Sequence, residues 1–327
     1  MKYFRESGDM TLHAFGGNPA VKSEMLEPVR ARWRARALAP DVNLNWKSDD
    51  QPDSISGTLA ETQDRGEFEQ RTGIPADLAQ LCEQLIAAGV RKSDAPNTTV
   101  GFSLEGADAV LTFGTEWLDA IRPGADLSLI VPQFARHCLD LLLKPDFELA
   151  GHISPDLRGT GYQILSFWDR ELAGESTTRG DWRDVQRAAM VATAKDNDAW
   201  GYRVATFIEA IAWPVRSVSP EFVGLFEPFL FNWLMYLETA FMTDEERMDR
   251  EHLLLGWKAM ATAPRDEVGN IDIDPLESLP ESSRVISSDH IMRTMDRMMA
   301  VREAARYRKD QVIRDLMNTV LTLIRSA

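Results

Sequence analysis

Five side chains with oxygen ligands stand near the end of the chain at the spacing of a calcium-binding loop. Asn270, Asp272, Asp274, Ser278 and Glu281 fall at positions 1, 3, 5, 9 and 12 of such a loop, where alternate oxygens surround a hard cation. Position 6, however, is a proline instead of the glycine that permits the sharp turn. The pattern therefore predicts an exposed acidic loop, with a calcium site at Asn270, Asp272, Asp274 and Glu281 as the alternative.

A second group of residues has the chemistry of an acid-base site. The candidates are Asp64, Glu69, Asp126 and His137, because a positioned carboxylate or imidazole can give or take a proton during hydrolysis. Each also has an ordinary structural explanation. The segment around Asp64 is typical of a solvated loop, and Asp126 stands where it would cap a helix. The four residues are retained as the catalytic candidates of an alternative, hydrolase-like function.

The sequence contains none of the familiar catalytic signatures. His137 and Cys138 are adjacent on a predicted helix, so their side chains point about 100° apart and do not form a catalytic pair by themselves. We interpret Cys138 as a core cysteine beside a partly exposed histidine. The histidines lack the spacing of a zinc hydrolase, and neither a Gly-x-Ser-x-Gly elbow nor a phosphate loop occurs. No cofactor is predicted, and whether the protein is an enzyme stays open.

The elements that would position these residues are mostly helices. Apolar spacing predicts helices from Asn18 to about residue 37, over 74–88 and over 125–143, the last capped by Asp126 or Ser128. The polar stretch 40–66 is predicted as loop, with a short strand near 55–59. A β-hairpin is predicted from strands 98–104 and 110–113, joined by a turn at Glu105 and Gly106.

Beyond Gly151 the pattern is nearly all helical. Two helices carry Trp182 and Trp200, an apolar helix covers 222–241, and Thr243 with Glu246 forms a capping box that opens the next helix. The last helix begins near residue 288 and continues to the C-terminus. The predicted fold is mainly α, a multi-helix bundle with a small β-hairpin in the N-terminal half. Two domains are predicted, an α+β domain at 1–150 and a helical domain at 151–327.

Composition restricts the partners and the compartment. The 327 residues are 44% hydrophobic and carry a net charge of −15, so nucleic-acid backbones and anionic membranes would be repelled. A protein partner with a basic or apolar surface is expected instead. Two cysteines are too few for a disulfide framework, and the first residues lack the apolar core of a signal peptide. The most apolar stretch, 222–237, is short and interrupted, which predicts a buried helix and a cytoplasmic protein.

Three short segments, taken in order, resemble a family of bacterial and phage proteins that has no assigned reaction. They are "FGGNPAVK" at 15–22, "GIP" at 73–75 and "GADLS" at 124–128, followed by a helical tail, and the resemblance covers about 14–143. Family members carry Cys and His where this chain has Thr58, Glu61 and Arg65, while Gly57, Asp64, Glu69 and the "GIP" segment agree. The resemblance implies a phage or mobile-element context.

These observations favour a regulatory protein that acts by binding a protein partner. An inhibitor, an antitoxin-like factor or a mimic of DNA charge would each fit the acidic composition. The binding residues are expected in the acidic loop and on the methionine face of the last helix, where flexible thioether side chains suit a partner helix. These predicted partner-binding residues are Asp266, Glu267, Asp272, Asp274, Glu277, Glu281, Met292, Met295 and Met299.

Overall fold

The computed structural model describes residues 12–41, 53–94, 102–195, 199–250 and 288–327. Helices dominate these residues, and a single antiparallel hairpin accounts for the strands within them. The mainly α fold with a small hairpin in the N-terminal half is thus confirmed. The elements up to residue 143 are α1 (Pro19–Arg34), α2 (Ile55–Ala60), α3 (Arg65–Thr72), α4 (Ala76–Gly89), β1 (Val90–Asp94), β2 (Phe102–Gly106), α5 (Asp108–Ala120) and α6 (Ile130–Leu143).

The rest of the described chain is helical. Its elements are α7 (Pro155–Leu172), α8 (Arg179–Lys195), α9 (Ala199–Ala210), α10 (Ser219–Thr239), α11, described over 244–250, and α12 (Ser288–Ser326). The predicted capping box opens α11, because the Thr243 hydroxyl accepts from the Glu246 amide at 3.2 Å and Glu246 accepts from the Thr243 amide at 2.8 Å. The predicted long last helix is confirmed. Among the described helices, none is long and apolar enough to cross a membrane.

The strand predicted near 55–59 is wrong, since these residues form α2. All six residues of α2 are buried, so the segment has no exposed face that would produce the alternation of a half-buried strand. Ser54 supplies the helix start, because its hydroxyl accepts from the amide of Gly57 at 2.9 Å. A short helix enclosed on every side carries little helical periodicity, which explains the error.

The hairpin exists, but its strands differ from the predicted pair. β1 pairs with β2 from Val90 opposite Gly106 to Asp94 opposite Phe102. The predicted second strand, 110–113, lies instead in α5, where Val110, Phe113 and Trp117 are buried at helical spacing. The apolar run was too short to separate a strand from a buried helix.

The helix predicted from Ala125 begins five residues later, at Ile130, and is not capped by Asp126 or Ser128. The Asp126 carboxylate accepts from the amide of Ser128 at 2.9 Å, which folds the segment into a turn before the helix. Side chains of this type hold turns as readily as helix ends.

The chain divides into two compact units, which differ from the predicted domains at 1–150 and 151–327. The larger unit comprises Met1–Trp233 and Asp310–Ala327, and the smaller unit comprises Leu234–Lys309. Residue 150 lies within the larger unit, where Arg158 on α7 donates to the Leu143 carbonyl at 2.7 Å.

The core of the larger unit is rich in aromatic rings from α6, α9 and α10. The ring of Phe134 lies 6.0 Å from that of Phe222 and 5.3 Å from that of Phe226, both in edge-on contact. Helices α1 and α5 meet where Gly114 faces Trp33, and a Cβ at Gly114 would lie 2.2 Å from the indole. The Trp33 Nε1 donates to the Leu111 carbonyl at 2.7 Å, which fixes this contact.

Candidate functional site

Two of the predicted catalytic carboxylates hold the starts of neighbouring helices. The Asp64 carboxylate accepts from the amide of Glu67 at 2.8 Å and caps α3. The Glu69 carboxylate accepts from the amide of Ala76 at 3.0 Å, at the first residue of α4. Free amides at a helix start need such acceptors. Both carboxylates therefore have a structural role.

The other two candidates, Asp126 and His137, also have separate partners. The hydrogen bond from the Ser128 amide lowers the pKa of Asp126, which stays an anion. Burial lowers the pKa of His137, and its Nε2 lies 3.4 Å from the Thr319 hydroxyl. Within the described residues, no hydrogen bond or ion pair joins any two of the four candidates. The arrangement therefore provides no ready acid-base pair among them.

The segments that carry the resemblance lie against one another. Ala14 donates to the Ala125 carbonyl at 3.1 Å and accepts from the Gly124 amide at 2.7 Å. Gly73, with a φ of +65°, approaches His13 so closely that a Cβ would lie 2.0 Å from its carbonyl oxygen. These glycines therefore serve close backbone packing. The charges of Arg216 and, to a smaller extent, His13 also lower the pKa of Asp126, which sequence spacing had not indicated.

Both cysteines of the chain are buried and free. Burial raises the pKa of Cys82 and of Cys138 well above the usual thiol range. Since the thiolate is the nucleophile, neither side chain is poised for covalent catalysis. The interpretation of Cys138 as a core cysteine beside a partly exposed His137 is confirmed.

The predicted partner-binding residues are only partly described. The acidic loop, with the candidate calcium ligands, lies outside the described residues, as do the side chains of Met292 and Met295. Met299 is 54% exposed, whereas its neighbour Met298 is buried with Met242 and Val301. Across the described part of the chain, no group of three or more His, Cys, Asp or Glu is arranged to hold a metal ion. Of the predicted face, Met299 is therefore the residue that the structure places in solvent.

Two buried glutamates were not predicted as special from the sequence. Glu83 on α4 is fully buried, and burial raises its pKa to about 7. It accepts from the Ser56 amide at 2.8 Å, the Ser56 hydroxyl at 2.9 Å and the Asp41 amide at 3.0 Å. In the sequence, the sign of this buried carboxylate is a glutamate that stands among the apolar residues of α4.

The second buried glutamate, Glu238, lies near the end of α10 and is 2% exposed. Three cations surround its carboxylate. Lys309 donates to it directly, Arg302 lies 3.7 Å away and Arg250 lies 4.0 Å away. This cluster joins α10, α11 and α12 within the smaller unit.

A cleft of about 1050 Å³ lies in the larger unit, between the end of α7, the start of α8 and the turn after α9. Glu171 organises its wall. The carboxylate accepts from the Thr177 hydroxyl, from the Trp182 Nε1 at 2.8 Å and from the Val215 amide at 2.7 Å. Three separate segments are thereby fixed around one carboxylate, and the cleft has a defined wall.

Three arginines line this cleft, although the protein as a whole is acidic. They are Arg179 and Arg183, one turn apart on α8, and Arg216 after α9. All three are exposed. In the described structure, Arg179 and Arg183 make no hydrogen bond or ion pair. Because Arg216 comes from a distant segment, sequence spacing could have found only the Arg179–Arg183 pair.

An exposed indole completes the cleft. Trp213 is 42% exposed and lines the opening, whereas Trp182 is buried at 4% in its wall. The Trp168 Nε1 donates to the Trp213 carbonyl at 2.7 Å and fixes the backbone there. Core packing explains the positions of most tryptophans in the C-terminal half of the chain. It does not explain the exposed indole of Trp213. The cleft therefore combines two guanidinium groups that form no ion pair in the described structure, those of Arg179 and Arg183, with an aromatic face.

No protein-family model matches the chain, and no curated protein or solved structure is significantly similar to it.

Proposed function

We propose that this protein is a cytoplasmic regulatory protein that acts by binding a protein partner with a basic or apolar surface. An inhibitor, an antitoxin-like factor or a mimic of DNA charge in a phage or mobile-element context fits the net charge of −15. The resemblance of the N-terminal segments supports that context.

Exposed apolar side chains on the smaller unit are the observation that carries this proposal. On α12, Met299 is 54% exposed and Tyr307 is 77% exposed, and Met248 on α11 is 57% exposed. The buried cluster of Met242, Met298 and Val301 leaves these three side chains in solvent. Flexible methionine and an amphipathic tyrosine are side chains that protein interfaces favour.

The charge of the adjoining sequence indicates the character of the partner. Between 266 and 281 the chain has six carboxylates and neither lysine nor arginine. An acidic segment that precedes α12 in the sequence, together with exposed methionine and tyrosine on that helix, complements a partner that combines basic and apolar groups. Charge complementarity of this kind mainly accelerates association and weakens with salt.

The hydrolase-like alternative, with Asp64, Glu69, Asp126 and His137, has less support. Asp64 and Glu69 already hold the starts of helices, and Asp126 holds a turn. A general base must reach the proton that it removes, and these carboxylates are engaged by backbone amides.

Purification of the tagged full chain from its native host, followed by mass spectrometry, tests the proposal. We expect a stoichiometric partner to copurify with the wild type. Its binding should be lost with Met299→Glu and weakened when the charges of Asp272 and Asp274 are reversed. The matched control is Met190→Glu, because Met190 is 58% exposed on α8 in the larger unit. A partner that survives Met299→Glu and is lost with Met190→Glu would place binding elsewhere, and a chain that purifies alone would contradict the proposal.

A further inference from the structure

The cleft of the larger unit concentrates positive charge in an acidic protein. Arg179, Arg183 and Arg216 line it together with two carboxylates, those of Glu171 and Glu175. Glu175 already lies 3.3 Å from Arg170, which is outside the lining. Arg179 and Arg183 thus have no paired carboxylate within the cleft, whereas the charge of Arg216 also acts on Asp126 outside it.

Glu171 forms no ion pair with these arginines in the described structure, and its oxygens accept hydrogen bonds from neutral donors. A hydroxyl, an indole N–H and a backbone amide all point at this carboxylate. The wall is therefore built around a carboxylate that three neutral donors hold in place. A rigid wall beside free guanidinium groups is the arrangement that pre-organised anion sites use.

The start of α8 borders the cleft. Thr177, Thr178 and Arg179 line the cleft at this helix start, where the Asp181 carboxylate already complements the helix dipole. Thr178 and Asp181 form a capping box, with bonds of 2.9 Å and 3.1 Å, which fixes the first turn. The helix end supports the site that the arginines define.

Trp213 gives the cleft a second chemistry. Its indole is 42% exposed, while the backbone around it is fixed by the bond from Trp168. An aromatic face held at the edge of a cationic cleft suits a planar ring, since stacking on tryptophan tolerates many ring types.

We infer that this cleft is a binding site for a small anion that carries a planar aromatic ring, with a mononucleotide as its chemical type. The arginines hold the phosphate or carboxylate, and Trp213 stacks on the ring. A cleft of about 1050 Å³ accommodates a ligand of that size. A nucleic-acid polymer is disfavoured, because a net charge of −15 repels the rest of its backbone. This site is independent of the partner-binding surface on the smaller unit.

Calorimetric titration of the full chain at low ionic strength tests the inference, with AMP, ribose 5-phosphate and pyrophosphate as probes. We expect AMP to bind about tenfold more tightly than ribose 5-phosphate, because only AMP has a ring to stack. The double substitution Arg179→Gln and Arg183→Gln should weaken all three probes about tenfold or more. Trp213→Ala should remove the advantage of AMP and leave pyrophosphate unchanged.

Matched substitutions on α9 separate these effects from general surface changes. Arg203 is exposed, makes no hydrogen bond in the described structure and is outside the cleft, and Tyr202 is 49% exposed. Arg203→Gln and Tyr202→Ala should leave all three affinities unchanged. Equal binding of AMP and ribose 5-phosphate, no binding of AMP, or a single-stranded oligonucleotide that binds far more tightly than AMP would each overturn the inference.

Discussion

Glu83 in the larger unit and Glu238 in the smaller unit are both nearly inaccessible to solvent, at 0% and 2% exposed, yet their surroundings differ. Glu83 is held by neutral donors, the Ser56 amide and hydroxyl and the Asp41 amide. Glu238 is held by the cations Lys309, Arg302 and Arg250.

Because of this difference, the two buried carboxylates should affect the stability of their units in different ways. A buried carboxyl without a cation retains its proton more easily, and burial accordingly raises the pKa of Glu83 to about 7. Removing a carboxylate that lies among buried cations takes away the charge that compensates them. We therefore expect the larger unit to respond to pH near neutrality and the smaller unit to respond to the loss of a charge.

The largest effect is expected from Glu238→Ala. The substitution removes the carboxylate that Glu238 presents to Lys309, with 19% of its side chain exposed, and to Arg250, with 12%. We expect the free energy of unfolding to fall by about 3–5 kcal/mol, measured by urea denaturation followed by circular dichroism. The control is Glu303→Ala, since Glu303 is in an exposed pair with Arg306 and should change stability by about 0.5 kcal/mol. Similar losses for both variants would contradict the role of Glu238.

The pH dependence of stability tests the account of Glu83. The pKa of Glu83 is about 7 in the folded chain against an ordinary value of 4.5, so only the folded state retains the proton between these values. The contribution of Glu83 is therefore full below pH 4.5 and is lost as pH rises toward 7, by at most about 3 kcal/mol. Urea denaturation across this range should show the decline in the wild type.

Glu83→Gln is the control for that measurement, because an amide does not titrate. The stability of the wild type relative to this variant should fall between pH 4.5 and 7 and level off above it. A constant difference across the range would show that Glu83 keeps one protonation state.

Ser56→Ala should have a smaller effect and sharpen the account of Glu83. The substitution removes the hydroxyl that donates at 2.9 Å and retains the amide that donates at 2.8 Å. Losing a hydrogen bond that favours the anion should raise the pKa of Glu83 further and cost about 1 kcal/mol at alkaline pH. The shift should appear as a higher midpoint in the same pH series, whereas the exposed control Ser93→Ala should leave the midpoint in place.

Arg302→Gln should have the smallest effect. Its side chain is 51% exposed and lies 3.7 Å from Glu238, whereas Lys309 is more deeply buried. We expect a loss of about 0.5 kcal/mol in urea denaturation, because exposed partners contribute little. A loss as large as that of Glu238→Ala would mean that Arg302, and not Lys309, is the main counter-charge.

The helices that could be predicted from the sequence are those long enough for their apolar spacing to define a period. In α4 and α12 the apolar residues recur at helical spacing, and both helices occur about where that spacing placed them. The short helix α2 gives no helical signal because all its residues are buried, and 110–113 resembles a strand because a run of four residues, three of them apolar, does not define a period.

The candidate site was less predictable, because its residues meet only in three dimensions. Arg183 and Arg216 are far apart in sequence, and Arg216 gives no local signal that it lines the same cleft as α8. Tryptophan is a residue type expected in the core, and Trp213 differs from the buried tryptophans only in its exposure to solvent. Conversely, Asp64 and Glu69 looked like catalytic candidates because a capping carboxylate and a catalytic one are the same residue type.

Hydrogen exchange tests the central claim, that a protein partner binds the smaller unit, most directly. The full chain would be compared alone and with the copurified partner. We expect added protection in peptides that cover 296–309, which contain Met299 and Tyr307, and no added protection around Met190 on α8. Protection confined to the larger unit, with 296–309 unchanged, would contradict the account.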